Sequence, residues 1–238
     1  MSQSSDARET RASVAEVKFL IEPELGAAIR AWARHRLGPD PHGIGEFGDQ
    51  YRTTSVYFDT ADYDVFYRRG SFGRSKFRAR RYDCTDAVFL ERKLTKPGLV
   101  TKRRTRVSQA ELRRLDAVDR DRTWAGDWFL RRLRLRNLRP VCQVSYHRTA
   151  RVLATERGPI RLTLDEQVRA LPFAGLSFGG GLGAPVVGER LILELKYSVK
   201  MPEAFETLVE RFGLVPQTAS KYRLGVVALG YAPGLPRT

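Results

Sequence analysis

Read at every second position, the extended segments of this chain repeat one pattern of charge. Glu16 and Lys18 share a parity, as do Lys76, Arg78, Arg80 and Tyr82, then Phe89, Glu91 and Lys93, then Lys102 and Arg104, Tyr146 and Arg148, Arg161, Thr163 and Asp165, and Glu194 and Lys196. Side chains alternate across a strand, so each set occupies one face, while Val17, Phe19 and Ile21, or Leu193 and Leu195, occupy the other. Cations in this density grip a polyanion, but cations alone do no chemistry. The carboxylates Glu16, Glu91 and Glu194 suit Mg2+ or Mn2+, hard ions that take oxygen ligands. Phosphoryl transfer asks a protein mainly for positioning and charge stabilisation, which a ring of Lys and Arg with one or two carboxylate-held metal ions supplies. Two geometries fit the pattern. An open sheet turns its charged face to solvent; a closed barrel turns it inward, where the cations need an anion because unpaired buried charge is costly.

The elements that must position these residues are mostly strands. Alternation predicts strands over 16–21, 53–59, 73–82, 87–94, 101–107, 141–149, 151–155, 159–164 and 190–198. Helices are expected over 23–37, opened by Pro23, over 108–122 from the capping-box spelling Ser108 to Glu111, over 125–137, and over 202–212 closed by Gly213. Residues 220–231 form a last segment, and the stretches 38–49 and 172–188, rich in Gly and Pro, read as loops. Eight or more strands with few helices and no βαβ rhythm predict an α+β chain: an antiparallel sheet or barrel with helices packed outside. Residues 1–13 are expected to be disordered, 14–232 to form one domain, and 233–238 to be a flexible C-terminus.

Composition narrows the function classes. The chain has 238 residues, 42% of them hydrophobic, and a net charge of +15, enough for a sizeable core. The whole excess of +15 falls within residues 61–151, which points to a polyanionic partner. Arg supplies 34 of the 42 cations, as it does throughout an Arg-rich proteome, so the eight Lys residues are the more telling set. Cys84 and Cys142 lie far apart without a CxxC spacing, which argues against zinc or disulfide frameworks and fits a reducing cytoplasm. No apolar run suits a transmembrane segment and no signal peptide opens the chain, so contact with a membrane is expected only through a membrane-protein partner. The sequence carries no signal for an oligomeric state.

The same residues resemble a known family, the VTC (vacuolar transporter chaperone) polyphosphate polymerase domain of the CYTH-like triphosphate tunnel metalloenzymes. The resemblance spans about Glu16 to Leu229. It rests on Glu16-Val-Lys18-Phe19, Ser55-Val-Tyr-Phe-Asp-Thr60, Arg78-Ala-Arg80-Arg-Tyr82, Leu90-Glu-Arg-Lys93, Tyr146-His-Arg148-Thr-Ala150, Arg161-Leu-Thr-Leu-Asp165, Leu193-Glu-Leu-Lys196 and Ser220-Lys221-Tyr222. It implies an eight-stranded antiparallel tunnel that moves the γ-phosphate of ATP onto a growing polyphosphate chain with the help of Mn2+ or Mg2+. It implies Lys18, Arg78, Arg80, Lys93, Arg148, Arg161, Lys196 and Lys221 as the cations that grip the phosphates. Lys102, with Arg104 as an alternative for its position, and Tyr146 and Ser220 are implied as further phosphate contacts, and Glu194 as the metal ligand. The chain departs from the pattern at Val14, where the wider superfamily has a first acid, and at Thr218, where the family often has a lysine. Neither a regulatory SPX domain nor membrane helices match this chain, so regulation by inositol pyrophosphates is not implied.

Glu16 and Glu91 also suit a second role, holding cationic side chains in place, and Asp165 is expected to orient Arg161. His35, His42 and His147 are isolated and read as structural or exposed; Cys84 and Cys142 read as packed thiols. The run Gly179 to Gly183 lacks phosphate-loop spacing. Two other functions remain open: a hydrolase of inorganic, nucleoside or thiamine triphosphate on the same fold, and a non-enzymatic polyanion binder. Nucleic acid is not expected as a partner, since no helix-turn-helix, RRM or KH signature is present.

Overall fold

Alternating apolar and charged residues make strands that can bury only one face against a helix, and the architecture follows from where those helices lie. The computed structural model describes residues 6–12, 14–83, 85–96, 99–118, 121–173, 178, 181–198 and 200–232. In chain order the elements are β1 (Asp6–Ala12), β2 (Val14–Ile21), α1 (Pro23–Arg36), β3 (Gly38–Pro39), β4 (Gln50–Asp59), α2 (Asp64–Tyr67), β5 (Ser75–Tyr82), β6 (Ala87–Lys96), β7 (Leu99–Ser108), α3 (Asp127–Leu135), β8 (Arg139–Leu153), β9 (Ile160–Pro172), β10 (Ala184–Pro185), β11 (Leu191–Ser198), α4 (Glu203–Arg211) and α5 (Lys221–Ala228).

All pairings between these strands are antiparallel, in the order β1-β7-β6-β5-β4-β8-β9-β11-β2, with β3 added to β8 and β10 to β9. The two ends of this path are consecutive in sequence. β1 lies on β7 and β2 lies on β11, so the N-terminal stretch bridges the far edges of the sheet and brings it round on itself. Residues 6–12 are therefore a strand, which corrects the expected disorder over 1–13; residues 1–5, 13 and 233–238 lie outside the described ones. The remaining eight long strands form the walls.

Two apolar layers hold the walls from outside. Phe19, Ile21, Leu162, Leu164, Leu193 and Leu195 pack under α1 and α4 through Ile29, Trp32, Ala33, Phe205 and Leu208. Phe58, Phe77, Val88 and Leu90 pack under α3 through Phe129, Leu130 and Leu133. Each large apolar side chain so buried contributes about 1.5–3 kcal/mol. The last helix departs from the expectation of helices packed outside. Cys142 and Val144 share parity with Tyr146 and Arg148, so they face inward, and α5 packs on them. A Cβ on Gly225 would sit 3.0 Å from Val144 Cγ2 and 3.4 Å from Ala170 Cβ, which is why a glycine stands at this crossing. Thus α5 fills one end of the concave side.

Three further boundaries differ. Ser108 and Glu111 do form the reciprocal capping box, with Ser108 N–H donating to Glu111 Oε2 at 2.7 Å and Glu111 N–H to Ser108 Oγ at 3.3 Å. Yet only a 3-10 turn over Ala110–Leu115 follows, because Leu112 and Leu115 are buried while Ala117 is exposed and Val118 is 90% exposed. The strands expected over 141–149 and 151–155 are one element, β8. The strand expected over 159–164 runs on through Pro172 as β9.

Candidate active site

The inward faces of β5, β6 and β7 stack in three tiers. Lys76, Lys93 and Lys102 are in register, then Arg78, Glu91 and Arg104, then Arg80, Phe89 and Arg106. The lysine tier lies toward the end that α5 fills, and Tyr82 extends the rows toward the other end. On the opposite wall Arg161, Lys196 and Glu16 are in register across β9, β11 and β2, followed by Thr163, Glu194 and Lys18. The two walls meet through charge: Lys93 Nζ, from β6, lies 3.7 Å from Glu16 Oε2, on β2.

Around Glu16 and Glu194 the lysines converge. Lys18 Nζ is 2.8 Å from Glu16 Oε1 and 3.2 Å from Glu194 Oε1, and Lys196 Nζ is 3.2 Å from Glu194 Oε2 and 3.9 Å from Glu16 Oε2. Lys221, the first residue of α5, reaches in to Glu194 Oε1 at 2.8 Å and Asp165 Oδ2 at 2.6 Å. Burial would raise the carboxylates, but the ammonium groups outweigh it. Lys196 and Lys18 hold Glu16 at about 2 against the neighbouring Glu194. Lys221, Lys196, Lys18 and Arg148 hold Glu194 well below the carboxylate range. Burial lowers Lys196 despite its acidic neighbours, whereas Asp165 and Glu194 overcome burial and raise Lys221.

The arginines sit among fixed partners. Arg78 Nε donates to Glu91 Oε2 at 2.6 Å, and Arg104 Nε lies 3.3 Å from Glu91 Oε1. Arg80 donates to Ser55 Oγ at 3.0 Å and to the Tyr146 hydroxyl at 3.1 Å. Arg148 makes a two-pronged pair with Asp165 at 2.6 and 2.7 Å. Arg161 donates to the Tyr51 hydroxyl at 2.8 Å and pairs with Asp40 at 2.9 Å. The expected partnership of Asp165 with Arg161 is thus corrected: Asp165 belongs to Arg148 and Lys221. Rings of Tyr51, Tyr82 and Phe89 interlock beside these guanidinium groups, with Arg104 3.6 Å above Phe89. Burial would raise the Tyr82 hydroxyl, but Arg80, Arg104 and Arg78 outweigh it and bring Tyr82 to about 8.

The motif Ser220-Lys221-Tyr222 divides its work by position. Ser220 accepts from Lys76 Nζ at 3.1 Å, Lys221 enters the acid cluster, and the Tyr222 hydroxyl donates to Asp59. Asp59 also accepts from the backbone N–H groups of Thr60, Val65 and Phe66, so it anchors the start of α5 to the end of β4.

The cations, hydroxyls and glutamates expected at the phosphate and metal sites therefore line one interior, but the three glutamates do not form one metal cage. Among the described residues no cluster of three acidic, His or Cys side chains is placed to hold a metal. Glu91 pairs with Arg78, Arg104 and, at 3.9 Å, Lys102, none of which reaches Glu16 or Glu194, so it stands apart from that pair and is corrected from metal ligand to charge anchor. Glu16 and Glu194 do converge, both ionised, and a pair of carboxylates completed by phosphate and water is what Mg2+ commonly uses. That donor set fits the implied metal ion. Sequence reasoning missed Asp40, Tyr51 and Ser55 as tunnel residues, left Lys76 and Tyr82 as face residues only, and gave Arg104 only as an alternative to Lys102. Tyr51 and Ser55 have the inward parity of β4 and were findable; Asp40 lies in a stretch legible only as a loop. Cys142 is buried and His147 exposed, as expected, and Cys84 lies outside the described residues.

A family model described as VTC domain matches residues 13–230. No curated protein matches the chain. A Bacillus halodurans structure described as an adenylate cyclase aligns with TM-score 0.56 at 18% identity, over 90% of this chain and 97% of that one, and shares the fold. A Hippeastrum protein described as an adenylyl cyclase with a dominant triphosphatase activity aligns with TM-score 0.48 at 15% identity, over 90% and 95% of the two chains.

Proposed function

This chain belongs to the VTC domain family, and on that premise we propose that it is a metal-dependent polyphosphate polymerase that transfers the γ-phosphoryl group of ATP to the end of an inorganic polyphosphate chain. The observation that carries this reading is the convergence of Lys18, Lys196 and Lys221 on two ionised glutamates inside a basic interior. An elongated anion threaded there meets cations from β2, β5, β6, β7, β8, β9, β11 and α5.

In the transfer, an oxygen of the terminal phosphate of the acceptor chain forms a new bond to the γ-phosphorus while the bond from that phosphorus to the β–γ bridging oxygen breaks, releasing ADP. Arg78, Arg80, Arg148 and Arg161, held by their partners, set the line of phosphates, with the Tyr146 hydroxyl beside them. Lys18, Lys93, Lys196, Lys221 and Lys102 offset the charge that builds on the transferred group and the leaving ADP. Glu194 and Glu16 would hold Mn2+ or Mg2+, which when bound supplies further charge neutralisation at the phosphate oxygens.

A hydrolase on the same fold would use the same grip with water as acceptor. The triphosphatase activity named for the Hippeastrum protein makes that the reading to exclude. The test is incubation with ATP and Mn2+, with the products resolved on a gel stained for polyphosphate and ADP measured alongside. A ladder of polymer growing with ADP supports the polymerase; ADP with orthophosphate alone overturns it.

A further inference from the structure

Among the described residues, the lysines that line the tunnel each face a carboxylate, with one exception. Lys18, Lys93, Lys196 and Lys221 have Glu16, Glu194 or Asp165, and Lys102 has Glu91. Lys76 has none: its Nζ donates to Ser220 Oγ at 3.1 Å. Its charged neighbours are all basic. Lys93 stands in register on β6 with Lys102 beyond it on β7, Lys18 comes from β2, Arg78 follows on its own strand, and Arg68 approaches from the end of α2. Its side chain remains exposed to solvent, and the crowding of its surroundings by the wall and these cations lowers Lys76 to about 8. Opposite, the segment before α5 brings no cation of its own, since Thr218 is uncharged and exposed.

We propose that Lys76 is a further substrate-binding residue of the tunnel, and that with Ser220 it receives a phosphate group of the entering polyanion. The inference rests on the phosphate-tunnel reading above and adds to it a residue that the motifs did not assign. A cation surrounded by cations and partnered only by a hydroxyl is left short of negative charge. A phosphate supplies that charge, accepting from Nζ while Ser220 Oγ–H donates to a second oxygen. Because an ammonium is a compact charge that can give up its proton, Lys76 differs from the arginines: near pH 8 it is partly neutral in the free protein and is fully charged once phosphate arrives.

Calorimetric titration of the full chain with inorganic tripolyphosphate, metal-free at pH 8 in two buffers of different ionisation enthalpy, reads both affinity and proton uptake. Wild type is expected to bind with uptake of a fraction of a proton. Lys76→Met is expected to bind about tenfold or more weakly, the loss of one charge-assisted hydrogen bond, with the uptake reduced. Lys76→Arg keeps the charge without a titratable amine, so affinity near wild type with reduced uptake supports the assignment. If Lys76→Met, folded as judged by its melting temperature, matches wild type in affinity and uptake, Lys76 is not a phosphate contact and the tunnel reading stands. Equal weakening in Lys76→Met and Lys76→Arg with unchanged uptake marks a structural role and also overturns the proposal. Failure of wild type to bind tripolyphosphate overturns the tunnel reading and this inference together.

Discussion

The interior has two sides built from different cations. Around Glu91, Asp40 and the rings of Tyr51, Tyr82 and Phe89 the charge is guanidinium: Arg78, Arg80, Arg104 and Arg161, each fixed by a carboxylate, a hydroxyl or an aromatic face. Around Glu16, Glu194 and Ser220 the charge is ammonium: Lys18, Lys76, Lys93, Lys196 and Lys221. Guanidinium stays protonated and presents donors in a rigid fork, whereas an ammonium responds to its neighbours. The lysine side shows that response in both directions, with Lys18 and Lys221 raised by the acids, Lys76 lowered among other cations and Lys196 lowered by burial. The difference teaches a division of labour. In the proposed function, arginines would give the tunnel a permanent line of phosphate sites, and lysines would gather where the carboxylates suit a metal ion and where charge changes during transfer.

The comparison breaks first at activity. Lys196→Met and Arg80→Met each remove a group that the proposed mechanism assigns to the phosphates, and turnover of ATP is expected to fall about a hundredfold or more in both. Melting temperature separates them. Lys196→Met relieves a cation that burial disfavours and is expected to melt at or above wild type, whereas Arg80→Met leaves the Ser55 and Tyr146 hydroxyls without their donor and is expected to melt lower. Destabilisation in both would remove the distinction between adjustable and fixed cations.

The buried junction of the two sides comes next. Asp165 holds Arg148 and Lys221 at once, so Asp165→Ala leaves the buried Arg148 without its carboxylate and Lys221 with Glu194 alone, and is expected to cost about 3–5 kcal/mol in a urea titration. A loss under 1 kcal/mol would mean that the junction is hydrated and contributes little.

Acid titration gives a smaller and more diffuse effect. The folded-state values of Glu16, Glu91, Asp165 and Glu194 lie below their ordinary values, with Glu16 at about 2. Their contribution to stability is therefore fully present above about pH 4.5 and is lost as pH falls through the folded values. Lys76 adds a slope of the same sign on the alkaline side: its lowered value makes the empty tunnel more stable as pH rises from about 8 toward 10. Chemical denaturation across pH reads both slopes, and Lys76→Met is expected to flatten the alkaline one. The smallest effect belongs to Phe89→Leu, which removes the ring beneath Arg104 and is expected to cost about 0.5–1 kcal/mol, read as a small shift in the urea midpoint.

How much of this was legible in sequence depends on which physical cue a residue leaves. Parity along a strand is local, so Arg78, Arg80, Glu91, Lys93, Glu194 and Lys196 could be assigned to one face without knowing the topology. The capping box at Ser108 was legible for the same reason, but not the shortness of the turn after it, which depends on having nothing apolar to bury beyond Leu115. Inward-facing Cys142 and Val144 read as ordinary core, and only their contact with Gly225 reveals that α5 occupies the concave end. The allocation of acids to cations is a tertiary property. Spacing placed Asp165 two turns of the pleat from Arg161, and the β8–β9 register gave it to Arg148 instead. For the same reason the sequence could not separate Glu91, whose cations come from β5 and β7, from Glu16 and Glu194, which share Lys18 and Lys196.

The most direct test of the central claim is a phosphorus NMR time course of the purified chain with ATP and Mn2+, run beside Glu194→Ala. The account predicts a mid-chain polyphosphate resonance that grows as ADP accumulates in wild type and is absent in the variant. Orthophosphate accumulating with ADP and no mid-chain resonance would contradict it, and would make the same tunnel a hydrolase.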